Sequence, residues 1–163
     1  MNGEWREPRA EAAIRCPECD PWDMNIPFLD NWRRRTTTVT DAWSDTEGVA
    51  ALLAECELLR ARAQRAGLVL ADTPVSLEAL DQLKPQWRDD PEELPWLAND
   101  AGLYLGTVIV RCVPGARWGP GPDGRPVVVM ASGRRVDVAA VGQEWAEAGA
   151  PELSQVFAEV AET

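Results

Sequence analysis

The sequence contains no histidine. That absence removes imidazole as a general base, removes Ser-His and Cys-His nucleophile pairs, and removes histidine ligands for a metal. Lysine is almost missing too: Lys84 is the only one, and arginine supplies the remaining basic side chains. We read that skew as the codon usage of a GC-rich genome and not as function. No stretch is long and apolar enough to span a bilayer, which takes roughly 20 residues. The most apolar segment, Leu94 to Val113, is cut by Asn99, Asp100 and Arg111. The N-terminus is charged and lacks the apolar core of a signal peptide. These absences lead us to expect a cytoplasmic protein with reduced thiols. P-loop, GxGxxG, HExxH, EF-hand and GxSxG patterns are all missing. No cofactor is expected, and no residue is assigned a catalytic role.

The chain has 163 residues, a formal net charge of −11 and a hydrophobic fraction of 45%. That length suits one domain, with or without a tail, and can bury a real core. The acidic balance argues against non-specific binding to nucleic acid or to an anionic membrane, since both are polyanions.

Residues 1–23 show no sustained period and are interrupted by Pro8, Pro17 and Pro21. They read as a poorly ordered tail, with Met24 a candidate natural start. Residues 24–45 read as a docking arm, carried by Ile26, Phe28, Leu29 and Trp32, followed by a polar linker. Residues 46–163 read as a single globular α+β domain.

Within that domain Ser44 and Glu47 have capping-box spacing. They open a helix whose apolar residues, Val49, Leu52, Leu53, Cys56, Leu59 and Ala63, recur at helical spacing over four turns up to Gly67. Ser76 is expected to cap a two-turn helix carrying Leu77, Leu80 and Leu83, stopped by Pro85. Asp90-Pro91 starts a turn, and Pro95 restarts a helix over about 95–113. From Ala101 to Val110 this helix has ten residues without a charge, and a helix apolar nearly all round belongs at the centre of a core. Ala98, Gly102 and Gly106 fall four apart on one face, so another backbone or a large ring should lie against them. The candidates are the helix over 49–66 and the C-terminal helix through Phe157. A small antiparallel β-meander is expected over about 116–138, with turns at Pro122-Asp123-Gly124 and Ser132-Gly133. A short helix through Trp145 follows, then an amphipathic C-terminal helix carrying Leu153, Val156, Phe157 and Val160. Trp96, Trp118 and Trp145 are assigned to the core, and Trp5 and Trp22 to the tail.

The motifs FLDNW at 28–32, GVAALLAECELLRARAQRAGL at 48–68 and WRDDPEELPWLANDAGLYLGTVIVR at 87–111 form a set, with Trp118 and PELSQVFAEV at 151–160. Through them, residues 24–162 resemble an uncharacterised actinobacterial family of small proteins, a domain of unknown function. The resemblance implies a buried helix, then a small sheet, then a C-terminal helix. It brings no activity to transfer.

Three places could carry chemistry. Cys16 and Cys19 form one CxxC, half of a zinc ribbon, but a four-thiolate site needs a second pair and the sequence has none. Asp100 and Tyr104 are i, i+4 neighbours on the central helix and could face one cleft, with Arg111, Arg117 or Arg134 as a partner for the acid. Trp32 with Arg33 to Arg35 has the look of a phosphate-contacting arm, set against an acidic whole. The leading expectation is a module that contacts another protein and has no catalytic activity. Two alternatives stand beside it: a small-ligand binder or enzyme using Asp100, Tyr104 and Arg111, and zinc binding through Cys16 and Cys19.

Overall fold

Four helices, three strands and two further helices follow one another along the chain, much as the hydrophobic periods predict, in a computed structural model that describes residues 43–83 and 90–162. The expectations for the tail, for the arm and linker up to residue 42, and for Pro85 lie outside the described residues. In chain order the elements are α1 (Thr46–Leu53), α2 (Glu57–Arg65), α3 (Pro74–Leu83), α4 (Leu94–Cys112), β1 (Arg117–Pro120), β2 (Pro126–Val129), β3 (Arg135–Val136), α5 (Val138–Ala148) and α6 (Leu153–Ala161). The strands form one antiparallel sheet in the order β1-β2-β3. The fold is therefore α+β, with helices around a central α4, a small meander and a C-terminal amphipathic helix.

Helix α4 begins where its prolines permit. Asp90 Oδ1 accepts from the Glu93 N–H at 3.2 Å and holds a turn over residues 91–93. Pro95 then falls in the first helical turn, where its missing N–H costs nothing. From Leu97 to Ile109 all but Asn99, Asp100 and Leu103 are buried. The elements stacked on α4 explain its glycines. A Cβ at Gly102 would overlap the Val138 carbonyl, and one at Gly142 would overlap the Ala98 carbonyl. Helices α4 and α5 thus cross backbone to backbone through glycine on both sides. Gly106 receives the ring of Trp118 from β1. A backbone and a large ring do lie against this face, but they come from α5 and β1 and not from the 49–66 helix or α6. The partner signal was Gly142, whose lack of a side chain makes α5 the element that can approach most closely.

The 49–66 helix is in fact two. It breaks at Cys56, which stands in the left-handed region at φ 39° and ψ 48°. The break is held by side chains. The Arg60 guanidinium donates to the carbonyls of Ala54 and Glu55, and Asp100 Oδ2 accepts from the Leu59 N–H at 3.2 Å, in the first turn of α2. The N-cap of α1 is Asp45, which accepts from the Gly48 N–H at 2.9 Å, and not Ser44. The helix starts one residue later than the capping-box spacing implies, and the Asp45 carboxylate serves the orphan donor three residues on. Gly67 does end α2: it sits at φ +81°, and Leu68 N donates to the Ala63 carbonyl at 2.9 Å.

Helix α3 starts at Pro74, so Ser76 lies inside it and is buried. Strand β3 is shorter than expected because Asp137 turns the chain at once, capping α5 by accepting from the Ala140 N–H at 3.1 Å. Val127, Val128 and Val129 are all buried, since β2 is the middle strand. Leu153, Val156 and Val160 of α6 face the core, and Phe157 is half-buried.

Candidate functional site

The polar groups singled out on α4 separate into different jobs. Tyr104 is fully buried. Its hydroxyl accepts from the Asp72 N–H at 2.9 Å and lies 2.7 Å from Ser76 Oγ. Ser76 Oγ itself donates to the Thr73 carbonyl at 2.5 Å, which leaves Tyr104 the donor in that pair. The hydroxyl is thereby satisfied and pins the α2–α3 loop to α4. Burial raises its pKa above the ordinary tyrosine value. Arg60 stacks on the ring at 5.2 Å from its centre.

Asp72 is the hub of this cluster. Its backbone is left-handed at φ 56°. Its carboxylate meets Arg60 Nη2 at 2.6 Å and Arg111 Nη1 at 2.8 Å. Arg60 also donates to the Leu70 carbonyl at 2.9 Å. Tyr104 and Arg111 are therefore brought together through Asp72. Asp100 is not part of that group: its carboxylate caps α2. Between the two lies Cys56, whose thiol is pushed up to about 12 by burial first and by the charge of Asp100 second. It donates to the Leu53 carbonyl at 3.3 Å. Arg117 and Arg134, the other arginines considered for Asp100, are exposed and make no ion pair among the described residues.

A groove opens next to Arg111. It has a volume of about 280 Å³ and runs between α1, the last turns of α4 and β1. Ala50, Ala51 and Ala54 form one wall, Val110 and Trp118 the other, and Glu47 and Arg111 are the charged residues on it. Thr107 also lines it, but its hydroxyl is spent on the Leu103 carbonyl at 2.9 Å. None of the residues of α1 is fully buried. The recess exists because three small side chains face the wide Trp118 ring. A smaller cavity, about 90 Å³, lies between Leu94 and Pro95 at the start of α4 and Gln143 and Glu147 on α5.

A family of unknown function, DUF6278, matches residues 24–163. The chain belongs to this family. No curated protein and no solved structure matches the chain. The DUF6278 match begins at Met24, so the first 23 residues with Cys16 and Cys19 lie outside it. Both cysteines, and Trp32 with Arg33 to Arg35, fall outside the described residues of this DUF6278 protein. Among the described residues no cluster of three or more Cys, Asp or Glu side chains could hold a metal ion, and no helix is long and apolar enough to cross a membrane.

Trp118 and Trp145 are buried as expected, but Trp96 is 70% exposed. It sits in the first turn of α4, one step outside the face that Leu97 and Ala98 bury, so the helix carries it outward. Sequence reasoning missed Asp72, Arg60 and Asp81. Asp81 on α3 accepts from Trp145 Nε1 at 2.8 Å, from Leu153 N at 3.0 Å, and from Ser154 N and Oγ at 3.1 and 2.7 Å. The available signals were weak: an Asp before Thr-Pro in a loop, one of three arginines on α2, and one of two acids on α3.

Proposed function

We propose that this DUF6278 protein is a non-catalytic, cytoplasmic protein-interaction module, and that the groove between α1, α4 and β1 is its contact surface. The groove carries the reading. It offers an apolar recess with two charged rims, the pattern of a site that seats one anchor side chain and orders its neighbours by charge. An anchor such as Leu or Phe gains about 1.5–3 kcal/mol on burial. Helix α1 has no deeply buried residue to tear out, so a modest shift of this wall can adapt the recess to its guest.

The polar groups of α4 favour binding over chemistry. Tyr104 and Asp100 spend their hydrogen bonds inside the fold, and neither lines the groove. Arg111 alone of the three candidate residues does.

The test uses a variant that fills the recess, Ala51→Trp. Host proteins recovered on wild-type protein should be lost on this variant, with its melting temperature unchanged. Equal recovery on both, by quantitative mass spectrometry, rejects the groove as the contact surface.

A further inference from the structure

We infer that the groove takes a peptide segment with an apolar anchor and a nearby acidic residue that engages Arg111. This rests on the reading of the groove as a protein-contact surface and adds the chemistry of the partner.

A guanidinium has two edges able to grip a carboxylate through paired N–H donors, one of Nη1 with Nη2 and one of Nε with Nη2. Arg111 uses Nη1 on Asp72, and it makes no other ion pair or hydrogen bond among the described residues. Among the described residues nothing takes up its Nε–Nη2 edge, and its side chain is 58% exposed. Asp72 cannot neutralise it, because the same carboxylate is also held by Arg60. Counted over these three side chains, two guanidiniums on one carboxylate leave one positive charge over, beside an apolar recess. Asp72 also holds the Arg111 side chain in place, so part of the ordering cost of a second carboxylate is met before binding.

Glu47 sets the direction. It stands on the α1 wall and Arg111 on the α4 wall, and Glu47 makes no ion pair among the described residues. A partner acid near Glu47 is repelled, whereas a partner base is attracted. The segment therefore lies with its acid over α4 and its basic side toward α1. The net charge of −11 acts at longer range and favours a segment that is basic apart from that one acid.

Random peptides displayed on phage, selected on the full-length protein at physiological salt, test this. Enriched peptides that fail on Ala51→Trp are groove binders. They should share an apolar anchor with a neighbouring Asp or Glu. Arg111→Gln should weaken them at least tenfold, roughly the value of a hydrogen bond to a charged group. Replacing the peptide's acid by its amide should cost the same on wild type and nothing further on Arg111→Gln. Arg111→Lys keeps the charge opposite Asp72 but not the fork, and should recover only part of the affinity. Groove binders with no shared acid, or with equal affinity for wild type and Arg111→Gln, overturn the inference and leave the groove reading standing. A selection yielding no peptide sensitive to Ala51→Trp overturns both.

Discussion

The six-membered ring of Trp118 occupies the space where Gly106 would carry a Cβ. One residue is at the middle of α4 and the other on the first strand, so their contact is where helix and sheet are joined. Gly106→Ala adds helix propensity of about 1 kcal/mol. It also drives a methyl into an aromatic ring that is itself buried, an overpacking that typically costs 1–3 kcal/mol. The expected net outcome in urea unfolding is destabilisation. Gly102→Ala should be worse, since its methyl meets the Val138 backbone and not a side chain that can tilt.

Asp81 is a second joint. One carboxylate accepts from the Trp145 indole on α5 and caps the first turn of α6. Asp81→Ala leaves those donors unmet in a part-buried site. The expected loss is roughly 2–4 kcal/mol by chemical denaturation. Asp81→Asn keeps the size but not the charge, and should lose less. Unchanged stability in Asp81→Ala contradicts the role assigned to it.

Tyr104→Phe removes the acceptor for the Asp72 N–H and the donor to Ser76. A stability loss of about 1–2 kcal/mol is expected. Amide exchange should speed up in the α2–α3 loop, and groove binding should weaken only slightly, through a looser hold of Asp72 on Arg111. A large loss of binding without a loss of stability would instead make the hydroxyl part of a recognition site.

Cys56 carries a pH prediction. Its thiol is raised from 9.0 to about 12 in the folded protein. A raised thiol pKa means that the folded state holds the proton more tightly than the unfolded chain. The associated stability is complete below pH 9 and is lost as pH climbs from there towards 12. Tyr104, also raised, acts in the same direction. Cys56→Ala should flatten the alkaline fall in stability, leaving the tyrosine part. In native protein at mild alkaline pH, iodoacetamide should modify exposed Cys112 and spare Cys56, read by peptide mass spectrometry.

Much of the frame was legible in the sequence, and for physical reasons. The uncharged run from Ala101 to Val110 admits no surface position, so it had to be central. Gly124 and Gly133 lie in turns at positive φ on either side of the valine-rich strand β2. Helix α6 repeats its apolar residues at a helical period. The break at Cys56 was hidden because the apolar spacing runs through it unchanged. The side chains of Arg60, Asp72 and Asp100, which come from α2, the α2–α3 loop and α4, hold the kink together. Tyr104 could be seen to need a partner, but which one depends on a loop 32 residues upstream. The groove was invisible for the same reason. Its walls come from residues 47–54, 107–111 and 118, and each stretch alone reads as ordinary helix or strand.

The claim that the groove is a contact surface is tested most directly by a photo-cross-linking amino acid placed at Ala51 and expressed in the native host. Irradiation should give a discrete adduct with another protein. The same probe at Ser132, exposed in the β2–β3 turn, should give none. Adducts at Ser132 with none at Ala51, or none at either position, would contradict the account.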